Sequence, residues 1–178
     1  MKNKTAKVFD DSTGDQQSLD QCISFLRRIG INTRFATIPE DSFLPGLSIE
    51  GGCIIINREK LLYPGDILHE AGHIAVVPAA ERAFLNAASI AQRKDREAEE
   101  MMAIAWSYAA CIHLGLDPYF VFHEEGYRGG GNYIADNFNN KNYFGLPMLQ
   151  WKGMTADEKN ALRLNVAPYP HMIKWVLD

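Results

Sequence analysis

Cysteine is scarce in this chain, with three residues among 178, and none of them forms a CxxC pair. An odd count without paired spacing excludes a disulfide framework. Cys22, Cys53 and Cys111 each fall within an apolar stretch, so buried thiols are expected. An excess of positive charge is also missing: 18 Lys and Arg stand against 22 Asp and Glu, a formal net charge of −4. A nucleic-acid binder meets the phosphate backbone with a basic stripe, so no nucleic-acid partner is expected. The densest basic spots, Arg27-Arg28 and the Arg93, Lys94, Arg96 group, read as solvated helix faces. Long apolar runs are lacking too. The longest, residues 101–116, is short for a bilayer span and holds Ser107, Tyr108 and His113, so it reads as a buried helix rather than a membrane anchor. Residues 1–18 contain no apolar h-region, which reads against a signal peptide and points to the cytoplasm.

What is present is enough for an ordinary globular core. With 47% hydrophobic residues, a chain of this length buries about 70% of the surface its unfolded form exposes, without needing a metal to supply a core. A metal bound here would therefore serve chemistry. The pattern predicts a mobile arm over 1–15 and one domain over 16–178. In it, Leu19, Cys22, Ile23, Leu26 and Ile29 recur at helical spacing, with Ser18 and Gln21 as a capping box and Gly30 as the stop. A strand is expected over 31–38, and a hairpin over 47–57 with Gly51-Gly52 at its turn. A helix over 66–77 follows, closed by Pro78. Residues 79–94 are looser, with room for a short helix. Asp95 is placed to cap a long helix running to Gly115. Beyond it come a brief helix at Asp117-Pro118, a glycine run at 129–131, an aromatic stretch expected to pack on the core, and a capping box over 155–158 before a final helix. The predicted class is α+β.

The chemistry lies in residues 69–73, His69-Glu70-Ala71-Gly72-His73, an HExxH pattern inside a predicted helix. At i and i+4 both imidazoles project from one face and can reach a single ion, while Glu70, one step round, points beside it toward a metal-bound water. With 5 His and 11 Glu in the chain, the pattern arises by chance in roughly 1 sequence in 100. Catalytic zinc keeps three protein ligands and an open position, so a third ligand must come from elsewhere. The residues after His73 do not continue to HxxGxxH, which excludes the three-histidine plan, and His113 is a poor choice. The start of the long helix offers Glu97, Glu99 and Glu100. Glu100 directly precedes the apolar portion and would be drawn inward with it, where a metal satisfies a carboxylate that would otherwise be costly to bury. Glu100 is the preferred ligand, with Glu97 and Glu99 left open.

These residues resemble the ImmA/IrrE-type minimal zinc peptidases, a branch of the HExxH zincins with glutamate as third ligand. The resemblance spans roughly 51–108: a short strand ending in Asn (Cys53 to Asn57), the helix with Leu68-His-Glu-Ala-Gly-His73, and a glutamate-rich start to an alanine-rich helix (Arg96 to Ala105). It implies a zincin-like domain, with a small sheet, an HExxH active-site helix and a long buried helix carrying the third ligand. It also implies a zinc-dependent peptidase acting on a peptide or protein substrate. The family pattern sets its ligand glutamate just before an alanine and an aromatic, which favours Glu97-Ala98. Met101 stands where the aromatic is expected, and the Leu-Leu-Met-Pro ending is missing. No helix-turn-helix segment of the kind many members carry is visible, so repressor cleavage does not transfer.

After Gly115 the family offers no guide. There His123 and Tyr127, in the run Val121 to Gly131, are candidates to donate hydrogen bonds to a tetrahedral oxyanion. The expected reaction is peptide hydrolysis with Zn2+ on His69, His73 and Glu100, and Glu70 as general base. The alternatives are a non-catalytic regulatory or binding module on a zincin scaffold, acting through the aromatic surface of 119–151, and a zinc hydrolase of non-peptide amides.

Overall fold

The structure, a computed structural model, describes residues 14–39 and 44–178. Helix α1 (Gly14–Arg28) buries Leu19, Cys22, Ile23, Phe25 and Leu26 on one side. It begins inside the segment expected as a mobile arm, whose residues 1–13 lie outside the described part of the chain. Ser18 is thus interior to the helix, not its cap. Its hydroxyl donates back to the Gly14 carbonyl at 2.9 Å, and Gln21 donates its amide to Leu114 O at 2.7 Å. Gly30, at φ 87°, ends the helix as expected.

Three short strands follow: β1 (Thr33–Phe35), β2 (Leu47–Glu50) and β3 (Cys53–Ile56). They form one sheet in the order β1-β3-β2, β1 parallel and β2 antiparallel to the central β3, with Leu47 opposite Ile56 and Glu50 opposite Cys53. The Gly51-Gly52 turn has φ of 58° and 70°, the left-handed values a two-residue hairpin requires. The strand expected over 31–38 shrinks to three residues. Ile31 donates its N–H to Leu26 O at 2.9 Å and so belongs to the closure of α1, leaving little chain for the ladder.

Helix α2 (Asp66–Ala75) carries the HExxH residues, and α5 (Arg96–His113) lies against it. Between them sit two short helices, α3 (Ala79–Arg82) and α4 (Ala87–Ala91). Helix α2 stops two residues short of the expected end, and the Val76 N–H already closes onto Gly72 O. Asp95 stands at the cap position of α5 without accepting a side-chain cap bond, contrary to expectation. The interior face of α5, from Met102 to Cys111, is buried, Trp106 among it. Gly72 is the contact that lets the two helices approach. A Cβ there would lie 2.8 Å from Ala103 O and 3.1 Å from Ala103 Cβ, closer than any larger residue tolerates.

The rest of the chain wraps this pair. A 3-10 turn (Pro118–Phe120) is capped by Asp117, whose carboxylate accepts from Tyr119 N at 3.0 Å. A second 3-10 turn (Tyr127–Gly129) leads into α6 (Gly131–Asn139), then α7 (Leu146–Trp151) and α8 (Glu158–Leu164). The final helix is capped by Asp157, which accepts from Asn160 N at 2.7 Å. Thr155, expected as its cap, instead donates to His171 O. Of the aromatic stretch, Phe122 and Phe138 are buried as expected, while Tyr133 and Trp151 stay exposed. The C-terminal segment crosses both central helices: Leu177 N donates to Ala75 O at 2.8 Å, and Trp106 donates its indole N–H to Trp175 O at 2.7 Å.

Cys22 and Cys111 are buried as expected, while Cys53 is only half-buried. Arg27 and Arg28 are exposed. Arg93 departs from the expected solvated face: it pairs with Glu81 at 2.9 Å and Glu99 at 2.6 Å. Among the described residues, no helix is long and apolar enough to cross a membrane.

Candidate metal centre

On α2 the i, i+4 spacing brings the Nε2 atoms of His69 and His73 to 3.2 Å from each other. Glu100, in the second turn of α5, spans them from the facing helix, Oε1 at 3.5 Å from His69 Nε2 and Oε2 at 3.3 Å from His73 Nε2. A tetrahedral zinc site with bonds of about 2.0–2.1 Å separates its donor atoms by about 3.3–3.4 Å. The separations here are of that size, with the carboxylate meeting each imidazole through a different oxygen, and two imidazoles with one carboxylate are a zinc-type donor set. Ligand atoms of His69, Glu70 and His73 also lie within 4.8 Å of one another, so Glu70 adjoins the same point.

Burial sets the protonation of this cluster. It pushes the His73 imidazole down to about 4, and it pushes His69 well below the usual histidine range, with neighbouring His73 adding to the effect. Both rings therefore hold a free lone pair at neutral pH, as ligation requires. The Glu70 carboxyl is pushed up to about 8 by burial, with Asp66 and Glu100 adding repulsion. Burial also raises Glu100. Positive charge at the imidazoles would oppose both rises.

The candidate glutamates separate clearly. Glu97 is exposed, Glu99 is paired with Arg93, and only Glu100 faces both imidazoles. His113, at the far end of α5, packs against Phe25 and Trp175.

His123 and Tyr127 line the same cavity as the three donors, a space of about 530 Å³. The Tyr127 ring stands edge-on to His69 with centroids 5.2 Å apart. Its hydroxyl is buried with no hydrogen-bond partner, and burial among Asp66, Glu100 and Glu70 drives its pKa well above the ordinary tyrosine value. It keeps its proton and remains a donor. Tyr127 and Arg128 hold φ of 55° and 58°, left-handed values that cost a non-glycine residue about 1–3 kcal/mol. The His123 ring stacks on Tyr63 at 3.9 Å and 8°, and its Nε2 lies 3.1 Å from Asp66 Oδ1. His123 Nδ1 is buried and unpartnered.

Asp66 and Tyr63 are absent from the sequence-derived site. Asp66 had a signal, since it precedes His69 by three positions and so shares its helix face. Tyr63 had none. Gly65 permits the arrangement, because a Cβ there would collide with the Phe120 carbonyl and push the segment bearing His123 away from α2.

Compared with family models, with curated proteins and with solved structures, the chain gives no match in any of the three.

Proposed function

We propose that this chain is a zinc-dependent metallopeptidase with a glutamate third ligand, on a zincin-like domain of the ImmA/IrrE type, acting in the cytoplasm on a peptide or protein substrate. The observation that carries the reading is the convergence of His69, His73 and Glu100 at 3.2–3.5 Å beside Glu70. His69, His73 and Glu100 would hold the ion. Zinc with three protein ligands supplies a Lewis acid, which acidifies water and polarises a scissile carbonyl.

The remaining work belongs to the protein's own groups. Glu70 accepts a proton on its carboxylate and delivers it to the leaving amine nitrogen. Tyr127 donates from its hydroxyl to the carbonyl oxygen as that atom gains charge. His123, oriented by Asp66 and Tyr63, lines the same cavity beside Tyr127.

The test is Glu70→Gln, assayed on denatured protein and on pooled synthetic peptides. Shape is kept and the base is lost, so hydrolysis should fall by at least about 100-fold while zinc content and melting temperature stay put. Wild-type turnover in Glu70→Gln would overturn the peptidase reading.

A further inference from the structure

Helix α4 buries none of its five residues, yet it is held in place by three separate devices. A capping box closes its start, with Ser89 N donating to Asn86 Oδ1 and Asn86 N donating to Ser89 Oγ, both at 2.9 Å. Asn86 also bridges to Glu50 on β2. Just past its end, Arg93 grips Glu81 and Glu99 together. Of this five-residue helix only Ile90 packs, half-buried, against the core, so this much restraint calls for another reason.

That reason lies on the side of α4 facing the metal centre. A second cavity of about 580 Å³ is walled by Ile90 and Ala91 from α4 and by Arg96, Glu97 and Met101 from α5, and it ends on His73 and Glu100. These two residues also line the first cavity, so the donor cluster stands between two spaces. The second space has one aliphatic side, made by Ile90, Ala91 and Met101. Its nearest cation, Arg96, donates to Ala91 O at 3.0 Å and braces the wall. Met102 beside it points into the core, whereas Met101 is left half-exposed at the cavity.

We infer that this second cavity seats an apolar side chain of the substrate, on the residue next to the bond that is cut, with Ile90 and Met101 as the residues that select it. The inference rests on the peptidase reading for its substrate class. A substrate reaching the donor cluster through the first cavity must continue past His73 and Glu100, and the wall it then meets is aliphatic at Ile90, Ala91 and Met101, with Arg96 and Glu97 beside them. Burying an apolar side chain against Ile90, Ala91 and Met101 is favourable, whereas an acidic one would meet the carboxylates of Glu97 and Glu100.

Two measurements on the zinc-loaded protein test this. In the first, a pool of peptides blocked at both ends is digested and the cut sites are read by mass spectrometry. Cuts should carry Leu, Ile, Met or Val on one fixed side, and Met101→Trp or Ile90→Trp should shift that position toward Ala and Gly by at least about tenfold. In the second, leucine hydroxamate and glycine hydroxamate are titrated into Glu70→Gln protein carrying 13C-labelled methionine methyls. The leucine compound should bind at least about tenfold tighter and move the Met101 methyl signal, and Met101→Trp should erase the difference. If no peptide is cut but the hydroxamates are discriminated in this way, the peptidase reading fails and the subsite stands. Equal binding of the two hydroxamates, no binding of either, or cut sites indifferent to both tryptophan substitutions would overturn the proposal.

Discussion

Gly72 and Ala103 meet where α2 crosses α5, so closely that a Cβ on Gly72 would lie 2.8 Å from the Ala103 carbonyl oxygen. Ala103 is one turn beyond Glu100 on α5, and Gly72 directly precedes His73 on α2. The contact therefore sets the distance over which Glu100 reaches the two imidazoles.

Gly72→Ala separates two opposing effects. An alanine gains about 1 kcal/mol of helix propensity, but overpacking against a backbone carbonyl costs about 1–3 kcal/mol. The net effect is a loss of up to about 2 kcal/mol, since backbone cannot yield as a flexible side chain does. Thermal unfolding should show a lower melting temperature, and zinc titration a weaker affinity. A variant as stable and as tight as wild type would show that the helices do not depend on this contact.

Glu100→Ala and Glu97→Ala are opposite cases. Glu100 faces both imidazoles, whereas Glu97 is exposed. Losing an outer partner of a metal site costs about 10–100-fold in affinity, so losing the third donor should cost more than about 100-fold, and Glu97→Ala should change affinity little. Competition against a chromophoric chelator measures both. The reverse ranking would move the ligand role to Glu97, as the family pattern alone suggests.

Residue spacing made His69, Glu70 and His73 legible, because i, i+4 periodicity is a local property of a helix. Glu100 was legible through its junction with the apolar half of α5. The Gly-Gly hairpin and the order of helix, sheet and paired helices were likewise readable. What escaped depends on distant partners. Ser18 and Thr155 have the right chemistry for caps, but their hydroxyls serve Gly14 and His171 carbonyls instead. Arg93 reads as a surface charge until Glu81 and Glu99 are brought to it from either side. The stacking of His123 on Tyr63 joins residues 60 positions apart, and no local pattern announces it.

The thiols give a prediction about pH. Burial raises Cys111 to about 12 and Cys22 higher still, with Cys111 adding repulsion to Cys22. In the unfolded chain both ionise near their ordinary value of about 8.5. Folded values above unfolded ones mean that the stabilising contribution is complete below about pH 8.5 and is lost as pH rises toward 12, since only the unfolded state then releases these protons. Melting temperature should therefore fall between pH 8 and pH 10.5. At pH 8.5 an alkylating reagent should modify the half-buried Cys53 first, with Cys22 and Cys111 reacting only on unfolding. Rapid labelling of all three thiols in folded protein would contradict the packing around α1 and α5.

The most direct test of the metal centre is metal analysis of protein purified without chelator, joined to an anomalous difference map at the zinc edge. The expected result is about one zinc per chain, with a single peak bonded to His69 Nε2, His73 Nε2 and the Glu100 carboxylate, and loss of the metal in His69→Ala. Protein that neither carries nor takes up zinc, or a peak that leaves out these three donors, would contradict it.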